Sequence, residues 1–287
     1  MPELTDLSVI RTLCEKYDFA LSKGFGQNFI INPGLPPKIV DASGVDKSWG
    51  VLEIGPGIGA LSHELCERAG KVVAVELDKT LLPILDETMA RFDNFEVVSA
   101  DILKTDIPAL VREKFAGLTP IVCANLPYNI TTPAITALIE SKCFESITVL
   151  VQKEVAERLC AAPGTSAYGA FSVFMQYYTE PEYLFAVPRE CFEPQPKVTS
   201  AVLRAVVRRK PPVEVEDEKF FFRVVYAAFA LRRKTLVNSL MTAFGSQLTK
   251  EQVTQAVTSC GLEANIRGER LGLSEFAALS AEIAALL

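Results

Sequence analysis

Apolar residues fall into two rhythms along this chain. Short, largely apolar runs recur at 51–54, 71–75, 95–98, 120–124 and 147–151. Runs of that length bounded by polar or turn residues predict strands buried on both faces, as in a parallel sheet. Helical spacing marks other stretches. Leu4, Leu7, Ile10, Leu13 and Tyr17 predict an amphipathic helix over 3–17. Residues 60–69, 133–140, 153–160 and 169–178 also read as helices, the second capped by Thr131 or Thr132. A last strand pair is expected at 183–187 and 198–207. Strands alternating with helices predict an α/β fold with a largely parallel sheet. Pro211-Pro212-Val213-Glu214 then shifts the composition. Helices at 217–231, 235–244, 249–259 and 273–286 predict a small all-helical C-terminal domain, so the expected domains are 1–210 and 211–287.

Candidate chemistry gathers at the predicted strand ends. The first strand runs into Gly55-Pro56-Gly57-Ile58-Gly59 and then a helix, a unit that brings a ligand close to bare backbone. Glu76 ends the next strand, 21 residues past Gly55, where an acid can accept both hydroxyls of a ribose. Asp101 follows the third strand and can accept from an adenine amino group, or else cap a turn. The fourth strand delivers Asn125-Leu126-Pro127-Tyr128. These residues suit methylation of a planar amine, a poor nucleophile whose lone pair is delocalised into its ring. Asn125 offers an acceptor for the amine. Pro127 can aim its backbone carbonyl at the same group. Tyr128 can stack on the ring, or the four residues are simply a strand-ending turn with a surface tyrosine. Phe192, stiffened by Pro194 and Pro196, can face the other side of that ring, or simply pack in its loop. The polar loop 22–30, with two glycines and Lys23, reads as a plain connecting loop or as one that closes over a ligand.

Charge changes the picture only through its distribution. The net charge of −6 does not suggest a nucleic-acid binder. Residues 1–180 carry 15 Lys+Arg against 23 Asp+Glu, but 181–287 carry 14 against 12. The basic excess lies at Arg204, Arg208, Arg209, Lys210, Arg223 and Arg232-Arg233-Lys234, which can form a phosphate-binding patch or a solvated face. Seven cysteines, odd in number and without a CxxC pair, read as reduced thiols and no metal site. His63 reads as a helix-surface residue. No run of 18 apolar residues predicts a membrane span, and the start of the chain does not read as a signal peptide.

The set of motifs resembles one family, the bacterial small-subunit ribosomal RNA adenine dimethyltransferases. It is more distantly similar to the macrolide-resistance methyltransferases that modify large-subunit RNA. The resemblance rests on Gly26–Phe29, Leu52–Gly57, Val75–Asp78, Asp101, Asn125–Asn129, Tyr168-Gly169, Phe192–Val198, Arg233–Leu236 and Arg267–Glu269, in the family's order. The last two stretches favour the small-subunit branch. The resemblance implies a Rossmann-like, seven-stranded methyltransferase sheet and S-adenosyl-L-methionine as donor. It implies that Asn28 and Ile30 contact the cofactor from the N-terminal loop, Gly55 and Gly57 approach its methionine part, Glu76 its ribose and Asp101 its adenine. Asn125 would touch both cofactor and amine. The implied reaction is N6,N6-dimethylation of two adjacent adenosines near the 3′ end of 16S rRNA, by a cytoplasmic monomer whose partner is the small ribosomal subunit.

Three other readings compete. Gly55-x-Gly57-x-x-Ala60 with Glu76 also fits a dinucleotide fingerprint, so an NAD-dependent dehydrogenase is one, but it leaves Asn125–Tyr128 unexplained. A small-molecule methyltransferase leaves the basic helical tail without a role. A ribosome-assembly factor, acting by binding alone, is the third.

Overall fold

A computed structural model describes residues 3–19 and 28–287. The expected loop residues Lys23, Gly26 and Gln27 lie outside the described residues. The order of elements is α1 (Leu7–Lys16), β1 (Phe29–Ile30), α2 (Leu35–Ser43), β2 (Trp49–Ile54), α3 (Ala60–Arg68), β3 (Lys71–Glu76), α4 (Leu82–Thr88), β4 (Phe95–Ser99), α5 (Ile107–Lys114), β5 (Thr119–Asn125), α6 (Thr131–Glu140) and β6 (Ser146–Gln152). There follow α7 (Lys153–Leu159), α8 (Ala170–Tyr178), β7 (Thr179–Val187), β8 (Phe192–Glu193), β9 (Ser200–Val207), α9 (Glu218–Phe229), α10 (Leu236–Phe244), α11 (Lys250–Ser259) and α12 (Leu273–Ala284).

Seven strands form one sheet in the order β4-β3-β2-β5-β6-β9-β7. β2 pairs in parallel with both β3 and β5, β3 with β4, and β5 with β6, whereas β9 runs antiparallel to β6. The strand order reverses between β2 and β5. That reversal opens a crevice at their carboxyl ends, the place where open α/β sheets bind ligands. The central strands are buried almost end to end, which is why they read as apolar runs rather than as alternations. The two-residue strands β1 and β8 pair separately, Phe29 opposite Glu193 and Ile30 opposite Phe192.

The chain divides into two compact units, one running through Ala156 together with Glu182–Val207, the other Glu157–Pro181 with Arg208–Leu287. The second boundary falls close to the composition shift at 211. Residues 157–181, expected in the first domain, cluster instead with the C-terminal helices. The reason is local. Tyr168 is fully buried and donates to Leu271 O at 2.9 Å, while Val173 and Tyr177 join Phe221, Phe244 and Phe276 in the second unit's core. In the first unit, Leu35 and Ile39 of α2 and Leu61 and Leu65 of α3 pack with Val51, Ile121 and Leu150 of the sheet. No helix among the described residues is long and apolar enough to cross a membrane. None of the seven cysteines is joined in a disulfide.

Candidate active site

The glycine turn after β2 is tightly enclosed. Gly55 and Gly57 hold φ of +67° and +60°, a region in which a Cβ is strained. The Gly55 N–H donates to Val75 O at 3.0 Å, tying the turn to β3. A Cβ at Gly57 would lie 3.1 Å from the Phe29 ring, and one at Gly55 would lie 3.3 Å from Pro127. The turn, β1 and the tetrapeptide after β5 thus close on one another, although they are far apart in sequence.

Two acids sit at successive strand ends beside this turn. Glu76 ends β3, is 5% exposed, and accepts from the Asp78 N–H at 2.8 Å. Burial pushes its carboxyl up, and backbone N–H donation from Asp78, Leu77 and Gly57 counters part of that. Asp101 follows β4 and caps a 3-10 turn, accepting from Leu103 N at 3.0 Å. It therefore fills the capping role and still faces the cavity. A third acid had no assigned role in the sequence reading. Glu53, in β2, is 1% exposed, receives the Ser62 hydroxyl at 2.6 Å, and lines the same cavity. Burial raises its pKa to about 8, so it is largely protonated at neutral pH.

Asn125 is the last residue of β5. Its amide Nδ2 donates to Asn28 O at 3.1 Å. The amide is thereby oriented, with Oδ1 left as the acceptor. Leu126 is buried and its N–H donates to Leu150 O at 3.1 Å, holding the turn against β6. The Pro127 carbonyl, expected to point at an amine, instead accepts from Ile130 N at 3.2 Å and Thr131 Oγ1 at 3.3 Å. Those two bonds open α6, so neither Thr131 nor Thr132 caps it and Thr131 is its first residue. Among the described residues nothing donates to the Leu126 carbonyl. Tyr128 is half-buried and, unlike Asn125 and Pro127, is not among the residues lining the cavity; its hydroxyl lies 2.5 Å from Ser200 Oγ. Burial pushes its phenol up, against a smaller lowering by Ser200.

Phe192 stands differently from expectation. It is 1% exposed, packs in the core with Ile30, Ile39 and Val202, and does not line the cavity. The β1–β8 pairing turns it inward. In this structure the ring expected to face a base is packed in the core.

The remaining candidates converge. A cavity enclosing about 1140 Å³, part of it open to solvent, is lined by Asn28, Ile30, Gly55, Gly57, Glu76, Asp101 and Asn125 together. Its apolar walls are Ile58, Leu77, Ile102 and Leu103, with Asn129 and Ile130 at the tetrapeptide side. Sequence reasoning missed these walls. The available signal was an apolar residue one position after Glu76 and two after Asp101, since Leu77 and Leu103 are 53% and 41% exposed. Two acids, apolar walls and a side-chain-free glycine turn fit a ligand with a ribose, a flat base and a small charged tail.

The basic runs split into two kinds. Arg208 is spent on Gln176 O, Thr179 O and Glu180, and Arg223 on Ala243 O and the Phe244 ring. Arg232 donates to Ser166 O at 2.7 Å and Tyr168 O at 3.2 Å, and Arg204 is half-buried. Arg209, Lys210, Arg233 and Lys234 are exposed, and their side chains bond to no described residue.

Comparison with known proteins follows the same line. A protein-family model, ribosomal RNA adenine dimethylase, matches residues 19–282. A ribosomal RNA small subunit methyltransferase A of Streptococcus gordonii is 49% identical over 280 residues, covering 96% of this chain and 97% of that one. A protein of the same name from Geobacillus sp. is 48% identical over 273 residues, covering 94% of each. The fold is shared with a dimethyladenosine transferase from Plasmodium falciparum (TM-score 0.75, 24% identity, covering 90% of this chain and 98% of that one). It is shared also with the 23S rRNA methyltransferase ErmE (TM-score 0.70, 24% identity, covering 90% and 100%). The chain therefore belongs to the ribosomal RNA adenine dimethylase family of S-adenosylmethionine-dependent methyltransferases.

Proposed function

We propose that this chain transfers methyl groups from S-adenosylmethionine to N6 of two adjacent adenosines near the 3′ end of 16S rRNA. The observation that supports this best is the placement of Asn125-Leu126-Pro127 at the sheet's reversal point, against the glycine turn and two strand-end acids. Bound S-adenosylmethionine would supply a methyl on a sulfonium, a good leaving group that makes a strong base unnecessary. Glu76 would receive its ribose hydroxyls, Asp101 its adenine amine, and the backbone of Gly55 and Gly57 its methionine part. Leu77 and Leu103 would hold the adenine faces.

On the substrate side, Asn125 Oδ1 accepts from the adenosine N6, its orientation set by Asn28 O. The Leu126 carbonyl supplies the second acceptor in place of Pro127, whose oxygen is already engaged. Two acceptors on one NH2 favour the pyramidal geometry in which its lone pair points outward. Tyr128 stacks on the base. Catalysis is then positioning and exclusion of water. A target adenosine must leave any stack, which is easiest in a loop.

The first unit carries the chemistry. The second, with Arg233 and Lys234 uncommitted, holds the RNA of the assembling subunit. One such RNA end per particle suits a single copy of the enzyme working in the cytoplasm. The test is methyl transfer from labelled S-adenosylmethionine to unmethylated small subunits, with large subunits as control and digestion to nucleosides. Dimethyladenosine from small subunits alone is expected. Label in the large-subunit RNA would move the chain to the resistance branch, and no label at all would favour a binding role in assembly.

A further inference from the structure

We infer that Ser200 is a positioning residue for methyl transfer, acting through Tyr128. This rests on the reading of Asn125–Tyr128 as the amine-binding tetrapeptide. Ser200 opens β9, opposite Gln152 at the end of β6. Because β9 runs against its parallel neighbours, its first residue lies at their carboxyl edge, where β5 delivers the tetrapeptide. The two residues are 72 positions apart, and their hydroxyl oxygens are 2.5 Å apart.

The Ser200 side chain has no exposure to solvent, so its hydroxyl must be satisfied within the protein. Tyr128 Oη satisfies it. Tyr128 itself begins a single 3-10 turn, Tyr128–Ile130. The Leu126–Leu150 bond fixes the main chain nearby, but main-chain anchoring does not set the torsions of a tyrosine side chain. The bond to Ser200 holds the far end of the ring. The bond fixes the axis of the ring, and because hydrogen bonds given or received by a phenol oxygen lie near the ring plane, it also favours one plane, which a base stacked on the ring takes. Ser200 therefore helps set the direction from which N6 meets the methyl group, without touching base or cofactor.

The test uses the full chain, unmethylated small subunits and labelled S-adenosylmethionine. Ser200→Ala is expected to lower kcat about tenfold, the scale of one lost hydrogen bond. The cofactor Kd, measured by calorimetry, should stay within about twofold. A purely structural serine would instead lower the melting temperature and leave kcat of the folded enzyme intact. Tyr128→Phe removes the same bond and keeps the ring. It should lose a similar factor, and the double variant should be no slower than either single one. Multiplying losses, or an unchanged kcat in either single variant, would overturn the inference. If Ser200→Ala fails to fold, Tyr128→Phe decides the matter. A wild-type chain that binds cofactor but methylates no RNA would overturn the tetrapeptide reading and this inference together. An active wild type matched by equally fast variants would overturn the inference alone.

Discussion

The Asn125 side-chain amide is oriented by the backbone carbonyl of Asn28, 97 positions earlier, at 3.1 Å. That bond makes the amide's direction a property of the N-terminal segment as much as of β5. Asn125→Ala should therefore cut kcat about 10²-fold, the scale of a misplaced reacting group, while cofactor affinity falls by less than tenfold. Single-turnover methylation beside calorimetric Kd measurement checks this. Equal losses in both would deny Asn125 its role with the amine.

Glu76 is assigned to cofactor binding and not to chemistry. Glu76→Ala removes a buried carboxylate acceptor worth roughly 1.5–3 kcal/mol in a charged hydrogen bond. The expected result is about 10- to 100-fold weaker S-adenosylmethionine binding by calorimetry, with kcat at saturating cofactor largely kept.

Gly57 has neither the backbone freedom nor the space for a side chain. Gly57→Ala puts a Cβ against the Phe29 ring at a left-handed φ, at a cost of about 1–3 kcal/mol. Urea unfolding should show that loss, and cofactor binding should weaken with it, because Phe29 belongs to the same wall.

Glu53 links stability to pH. Its folded pKa, about 8, stands above the ordinary glutamate value of 4.5, so the folded state favours the protonated form. Its contribution is fully present below about pH 4.5 and is lost as pH rises through about 8. Glu53→Gln keeps the Ser62 contact without the proton. The urea midpoint of the wild type should fall between pH 5 and pH 9 more steeply than that of Glu53→Gln. Parallel curves would show that Glu53 does not titrate in this window.

Arg232 and its two neighbours should separate experimentally. Arg233→Ala with Lys234→Ala should weaken binding to small subunits and lower the salt slope by about 2, leaving the melting temperature in place. Arg232→Ala should lower the melting temperature by a few degrees, because its guanidinium ties down the carbonyls of Ser166 and Tyr168.

The central strands β2, β3 and β6 were readable because burial on both faces leaves apolar runs bounded by turns. The helices α2, α4 and α5 were not read, and each carries proline in its first turn, at Pro36, Pro83 and Pro108. Proline tends to look like a break, yet the first turn is where a helix tolerates it. At the site, Gly55, Gly57, Glu76, Asp101 and Asn125 were legible because each ends or follows a strand. The burial of Phe192 was not legible because its strand partner Ile30 lies far back in the chain, whereas the engagement of the Pro127 carbonyl is local, made by Ile130 and Thr131 three and four residues on where α6 opens. Ser200 carried no local signal at all. Its partner is set by the antiparallel insertion of β9, a matter of topology that residue spacing does not reveal.

The β1–β8 ladder also imposes an order in time. Synthesis brings out the glycine turn and Asn125 long before Phe192 and Glu193 exist to clasp Phe29 and Ile30. A nascent chain of about 150 residues thus has all of the cavity's lining residues but lacks the clasp that fixes one wall. The wall made by Asn28, Phe29 and Ile30 acquires its strand partner only when the proline-rich segment emerges from the ribosome. Completion of the binding wall is in this way a late event of biosynthesis, tied to the same stretch of chain that adds the closing strand β9 to the sheet.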